Sequence, residues 1–201
     1  MNSLGEPGGS PSYSNLGPTV AVAMLEKITG RTYESWLKGA EGRTIGLRTP
    51  MMLNPSAVKD EDVFPHYIQN GKIVQGGVDS NKYLYFDPAG GLAVSLIDLC
   101  NFAQFTFSGA NILGNNVFKN LISFRNKEQT TTYGGWSGDP DQWLTHGGAT
   151  GRGELCIMWT SPRWKSAFIF FTNAAPSDGT DLMSPIIGDI NSIMTNLPLE
   201  K

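Results

Sequence analysis

The order of patterns along this chain predicts an α+β fold. Three observations carry the prediction. The first half holds apolar stripes at helical spacing, of which Ala21, Met24, Leu25 and Ile28 form the clearest. Residues 154–173 change texture to two runs of β-branched and aromatic residues around a short Pro-containing segment, as in a hairpin. Met183, Ile186, Ile187, Ile190 and Met194 then restore a helical stripe near the end. Helices first, strands later and a closing helix imply a sheet that covers one face with helices.

Each element follows from local chemistry. Residues 1–12, with Gly5, Pro7, Gly8, Gly9 and Pro11, read as a loop. Pro18 suits the first turn of a helix and Gly30 its left-handed end. Thr32 to Leu37 reads as a second, short helix. From Gly39 to Phe86 periodicity is poor, and Thr49-Pro50, Asn54-Pro55, Asn70-Gly71 and Gly76-Gly77 mark successive turns of a long irregular region. Ser95-Leu96-Ile97-Asp98 is a capping pattern before an apolar face of Leu96, Leu99, Cys100 and Ala103. A short helix is expected over residues 117–122. Strands are expected at Glu154–Thr160 and Ser166–Asn173, with Trp143–His146 as a neighbour.

Composition narrows the function. A length of 201 residues fits one domain spanning the whole chain, and 40% apolar with 16% charged residues is a globular balance. Net charge is −3 and Lys and Arg form no stripe, so neither nucleic acid nor an anionic membrane is expected as a partner. No run approaches the roughly 18 apolar residues of a membrane span. The start lacks the charge and apolar run of a secretory signal, which leaves a cytoplasmic protein, a mature chain or a cut piece of an exported one. Cys100 and Cys156 are either two thiols or one bridge. No residues have metal-ligand spacing, and Gly147–Gly153 lacks the lysine of a phosphate loop, so no cofactor is expected. His66 reads as a loop residue, and Phe168, Phe170 and Phe171 as sheet faces.

Two triplets carry the chemistry. Tyr13-Ser14-Asn15 follows Pro7-Gly8-Gly9 and precedes a helix; His146-Gly147-Gly148 leads into Ala149-Thr150-Gly151 and the strand pair. Alone, the first is a loop with helix-capping residues and the second a surface histidine in a glycine-rich turn. In this order, with Pro88-Ala89-Gly90-Gly91-Leu92 between them, they resemble the later part of the serine β-lactamase and penicillin-binding-protein family. The resemblance covers about Glu6 to Leu197 and implies a serine β-lactamase-like fold: an antiparallel sheet with a terminal helix, facing a helical region across a cleft.

The resemblance also implies roles. Tyr13 would assist proton transfer, and Asn15, which offers both donor and acceptor, would hold the substrate amide. His146 would stand at the edge strand, where Gly147 and Gly148 leave room for the backbone N–H of Ala149 to face an oxyanion. In such enzymes a phenol, of ordinary pKa about 10, serves as a base only beside positive charge. The family supplies that charge from the lysine of a Ser-x-x-Lys motif placed before Tyr-x-Asn. Only twelve residues precede Tyr13 here, and they hold no such motif. Ser35-Trp36-Leu37-Lys38 and Ser56-Ala57-Val58-Lys59 have the spacing but fall after Tyr13. The expectation is a domain truncated at its N-terminal side. Three functions follow: the later part of a serine hydrolase acting on a small ester, amide or β-lactam, inactive alone; a non-catalytic module that binds a ligand or partner; and a stand-alone hydrolase with a relocated nucleophile. An incomplete sheet also predicts an N-terminal partner polypeptide or a homo-oligomer.

Overall fold

Ser14 and Gly30 bracket the first helix, α1 (Leu16–Thr29). The Ser14 hydroxyl accepts the Leu16 N–H at 3.2 Å, and Gly30, at φ +67°, donates its N–H to the Glu26 carbonyl. A computed structural model describes residues 13–52, 65–76, 87–124, 131–132, 134–139, 141–149, 153–176 and 184–196. The expected stripe of α1 forms but does not enter a core, since no residue of this helix is buried. Among the described residues its main neighbour is the four-residue α4 (Asp87–Gly90), too small to cover a helix face. Thr32 caps α2 (Tyr33–Lys38) by accepting the Ser35 N–H at 3.2 Å, and α3 (Ala40–Thr44) packs beside it.

The region expected to be irregular contains paired strands. β1 (Met51–Met52) pairs antiparallel with β4 (Leu92–Ala93). β2 (His66–Gln69) and β3 (Lys72–Gln75) form a hairpin through Asn70-Gly71. Their φ values of +51° and +70° are those a two-residue type I′ turn needs. His66 is therefore a strand residue rather than a loop residue. β9 (Ala174–Pro176) joins β2 in parallel, fixed at its start by the His66 N–H to the Asn173 carbonyl at 2.6 Å.

The main sheet is antiparallel in the order β5 (Ser137–Gly138), β6 (Leu144–Ala149), β7 (Leu155–Ser161), β8 (Ser166–Thr172). The predicted hairpin falls on β7 and β8, turning through Pro162–Lys165. Across them lies α5 (Leu96–Leu113), capped by the Ser95 hydroxyl, which accepts the Asp98 N–H at 3.0 Å. Leu144, Met158 and Ala103 are buried at this layer boundary. α6 (Asn115–Ile122) lies against α5, where Gly109 admits the Phe118 ring into space that any Cβ would occupy. The closing stripe forms α7 (Ser184–Thr195). Mixed helices and antiparallel strands thus agree with the fold class expected from the sequence.

Candidate functional site

Strand register decides which residues share a face. Directly opposed residues of a pleated sheet project to the same side. Leu144, His146 and Gly148 oppose Thr160, Met158 and Cys156, which in turn oppose Ala167, Ile169 and Phe171. Ala167 and Ile169 line a groove with α5, so this whole set belongs to the face turned toward α5. His146 consequently stands on the helix-facing side of the sheet, while remaining exposed.

The surroundings of His146 are aromatic. Trp136 meets its ring edge-to-face at 6.4 Å between centroids and stacks on Phe102 of α5, also at 6.4 Å. Phe102 in turn stacks on Phe105 at 6.0 Å. Trp136 was not legible as a site residue; the available signal was its position after Gly134-Gly135, ten residues before His146. β5 pairs only with Leu144 and Thr145, so among the described residues His146–Ala149 have a strand on the β7 side alone. A Cβ at Gly148 would meet nothing within 4 Å, and one at Gly147 would touch Ile157 only at an ordinary 3.5 Å. Among the described residues, packing requires neither glycine.

Cys156, across from Gly148, is half-buried, and burial pushes its thiol up to about 11. Cys100 and Cys156 are both free thiols.

Tyr13 and Asn15 come together at the start of α1. The Tyr13 hydroxyl donates to Asn15 Oδ1 at 2.9 Å, and Asn15 makes no side-chain cap. Tyr13 is 82% exposed. Pro88-Ala89-Gly90 lies in α4, against which α1 packs. The Tyr13–Asn15 pair and His146 make their contacts separately.

The Ser35 and Lys38 pair is not an active dyad. Ser35 Oγ donates to the Thr32 carbonyl at 2.7 Å, and Lys38 Nζ is bound to Glu34 at 2.6 Å. Ser56 and Lys59 lie outside the described residues. Among the described residues, no group of three or more His, Cys, Asp or Glu could hold a metal ion, and no helix is long and apolar enough to cross a membrane.

Residues 2–188 match the family model described as Beta-lactamase. The chain belongs to the β-lactamase family. No curated protein matches it. Among solved structures, the crystal structure of SurE superposes with a TM-score of 0.74 at 21% identity, over 100% of this chain and 49% of that one. A penicillin-binding protein from Bacillus halodurans gives 0.70 at 13% identity, over 93% and 57%. A D-stereospecific amidohydrolase from Streptomyces sp. gives 0.63 at 19%, over 84% and 52%. At these identities the likeness is one of fold. The chain spans about half the length of these solved chains.

Proposed function

We propose that this β-lactamase-family chain provides the substrate-holding side of an acyl-transfer site for a small ester, amide or β-lactam, and does not turn substrate over by itself. The observation that carries the reading is the bare strand from His146 to Ala149. Among the described residues its glycine pair has no close packing neighbour, and His146 and Gly148 are on the face turned toward α5. An extended substrate can lie along such an edge, with the Ala149 N–H donating to the carbonyl oxygen as it gains negative charge. His146 is the hydrogen-bonding residue beside it. Tyr13 and Asn15, already joined by a hydrogen bond, are the proton-handling and amide-holding pair that closes on the same substrate. Acyl transfer also requires an activated nucleophile, and this reading places none among the described residues. The contacts of Ser35 and Lys38 support their exclusion from that role.

A chromogenic cephalosporin and p-nitrophenyl esters test the reading. The expected rate is that of buffer, and turnover lost in Ser56→Ala would establish a relocated nucleophile instead. Binding without turnover, the second reading, is favoured by the aromatic wall beside His146. It is checked by quenching of Trp136 fluorescence on titration with an intact β-lactam. In that assay Gly148→Leu should weaken binding at least tenfold while leaving the unfolding midpoint unchanged.

A further inference from the structure

β5 stops one step short of His146. Its register with β6 sets Gly138 opposite Leu144 and Ser137 opposite Thr145, so Trp136 is next in line, across from His146. Opposed residues project to one side of a sheet, and the two rings meet edge-to-face on the side turned toward α5. There the chain leaves the lane. The Gly134 N–H donates to the Leu121 carbonyl of α6 at 2.7 Å, which draws the segment away from β6. Past that point, among the described residues, Gly147, Gly148 and Ala149 have no strand on the β5 side. Trp136 therefore closes one end of an open lane along β6.

The indole is held in place before any ligand arrives. Thr132, 5% exposed, clasps the backbone of Trp136 twice. Its N–H donates to the Trp136 carbonyl at 2.7 Å, and its Oγ1 accepts the Trp136 N–H at 3.2 Å. Phe102 of α5 stacks on the indole with 14° between the ring planes. Trp136 nonetheless stays half-exposed, and a Cβ on Gly135 beside it would meet nothing within 4 Å. A ring fixed in this way loses little freedom on binding. An indole face can receive a cation, a sugar or another aromatic ring. The rings touching Trp136, those of His146 and Phe102, offer a cation no counter-charge. Phe102 and, behind it, Phe105 give sugar hydroxyls nothing to bond. A flat apolar ring meets neither cost.

We propose that Trp136 sets specificity: ligands of the β6 edge carry an aromatic ring close to their carbonyl group, and that ring stacks on the indole. The inference rests on the acyl-transfer reading of this edge and names its substrate class as arylacetyl esters, amides or β-lactams. Gly148 lies two residues, about 7 Å, from His146 along the same face, roughly the reach of a benzyl group. With no side chain at Gly148, such a group passes unobstructed from a carbonyl at Ala149 toward the indole.

The test uses three penicillins that share one β-lactam nucleus and carry a phenylacetyl, a cyclohexylacetyl or an acetyl group. Affinities are read by titration calorimetry, which does not depend on the indole as a reporter. Phenylacetyl should bind about tenfold tighter than acetyl. It should also bind at least about threefold tighter than cyclohexylacetyl, the share owed to ring-on-ring contact. Trp136→Leu, which keeps apolar bulk without a π-face, should bring the three within about twofold of one another. Trp136→Phe should preserve their order, and urea unfolding of both variants checks that each is folded. Equal binding of phenylacetyl and acetyl, or of phenylacetyl and cyclohexylacetyl, overturns the proposal. So does a preference that Trp136→Leu retains or Trp136→Phe abolishes. Each of these leaves the acyl-transfer reading standing. Binding of none of the three penicillins removes that reading and this inference with it.

Discussion

α1 and α5 are both helices with apolar residues at three- and four-residue spacing, yet only one of them builds a core. Leu16, Val20, Met24 and Ile28 of α1 form a row along one side and are all exposed, Ile28 at 80%. The residues that α5 buries are small or polar: Asp98, Ala103, Thr106 and Gly109. Small side chains let the α5 backbone approach β7, β8 and α6, and the larger side chains of those partners fill the seam. A stripe of large residues is thus a capacity for burial, and a neighbouring element of sufficient size decides whether it is used.

That contrast can be broken by unfolding measurements. The largest effect is expected for Leu144→Ala, which empties a fully enclosed position under α5 and should cost about 2–5 kcal/mol in urea unfolding. A loss below 1 kcal/mol, on the scale where surface changes fall, would mean the α5–sheet seam is not the core. Asp98→Asn should come next, at about 1–3 kcal/mol, because Asp98 is 2% exposed and accepts the Thr49 N–H at 2.8 Å and hydroxyl at 3.0 Å.

This second variant carries a pH signature. The Thr49 backbone N–H, above all, holds the Asp98 carboxyl below its ordinary value against the opposing effect of burial, helped by the Arg48 backbone and the Thr49 hydroxyl. The contribution is complete above the unfolded value of about pH 4 and is lost as pH falls through the lower folded value. Wild-type stability should therefore drop more steeply than that of Asp98→Asn as pH falls below about 4. Parallel curves would detach Asp98 from acid sensitivity. The smallest effect is expected on α1, where Ile28→Ser should change stability by no more than about 0.5 kcal/mol in the isolated chain. A larger loss would show that the exposed row is covered in solution.

How much was legible in the sequence follows the same division. The helix from Pro18 to Gly30, the cap at Ser95 and the β7–β8 hairpin are local matters of spacing and termination, and all three were readable. The β2–β3 hairpin was missed although Asn70-Gly71 is a strong type I′ signal. The flanking four-residue strands are too short to show alternation above the noise of the surrounding turns. The burial of α5 rather than α1 depends on which elements lie across from them, which no local window contains. At the candidate site, His146, Gly147 and Gly148 announced themselves through order and flanks. Trp136 did not, because its contact with His146 depends on how the segment before β6 folds back onto α5.

The paired hydroxyls of Thr106 and Thr160 have a consequence for how α5 seats on the sheet. Thr106 donates its single hydroxyl proton to the Ala103 carbonyl, so Thr160 is the donor between the two threonines. Both are buried where α5 crosses β7. Apolar surfaces alone would tolerate a slide of the helix by one turn, about 5.4 Å, with little change in contact area. Such a slide would part the hydroxyls inside a dry interface, at a cost of about 1–3 kcal/mol for each left unmatched. Grease holds the helix down, and two oxygens work as a detent that admits a single axial position, fixing how far Phe102 reaches toward the strand that bears His146.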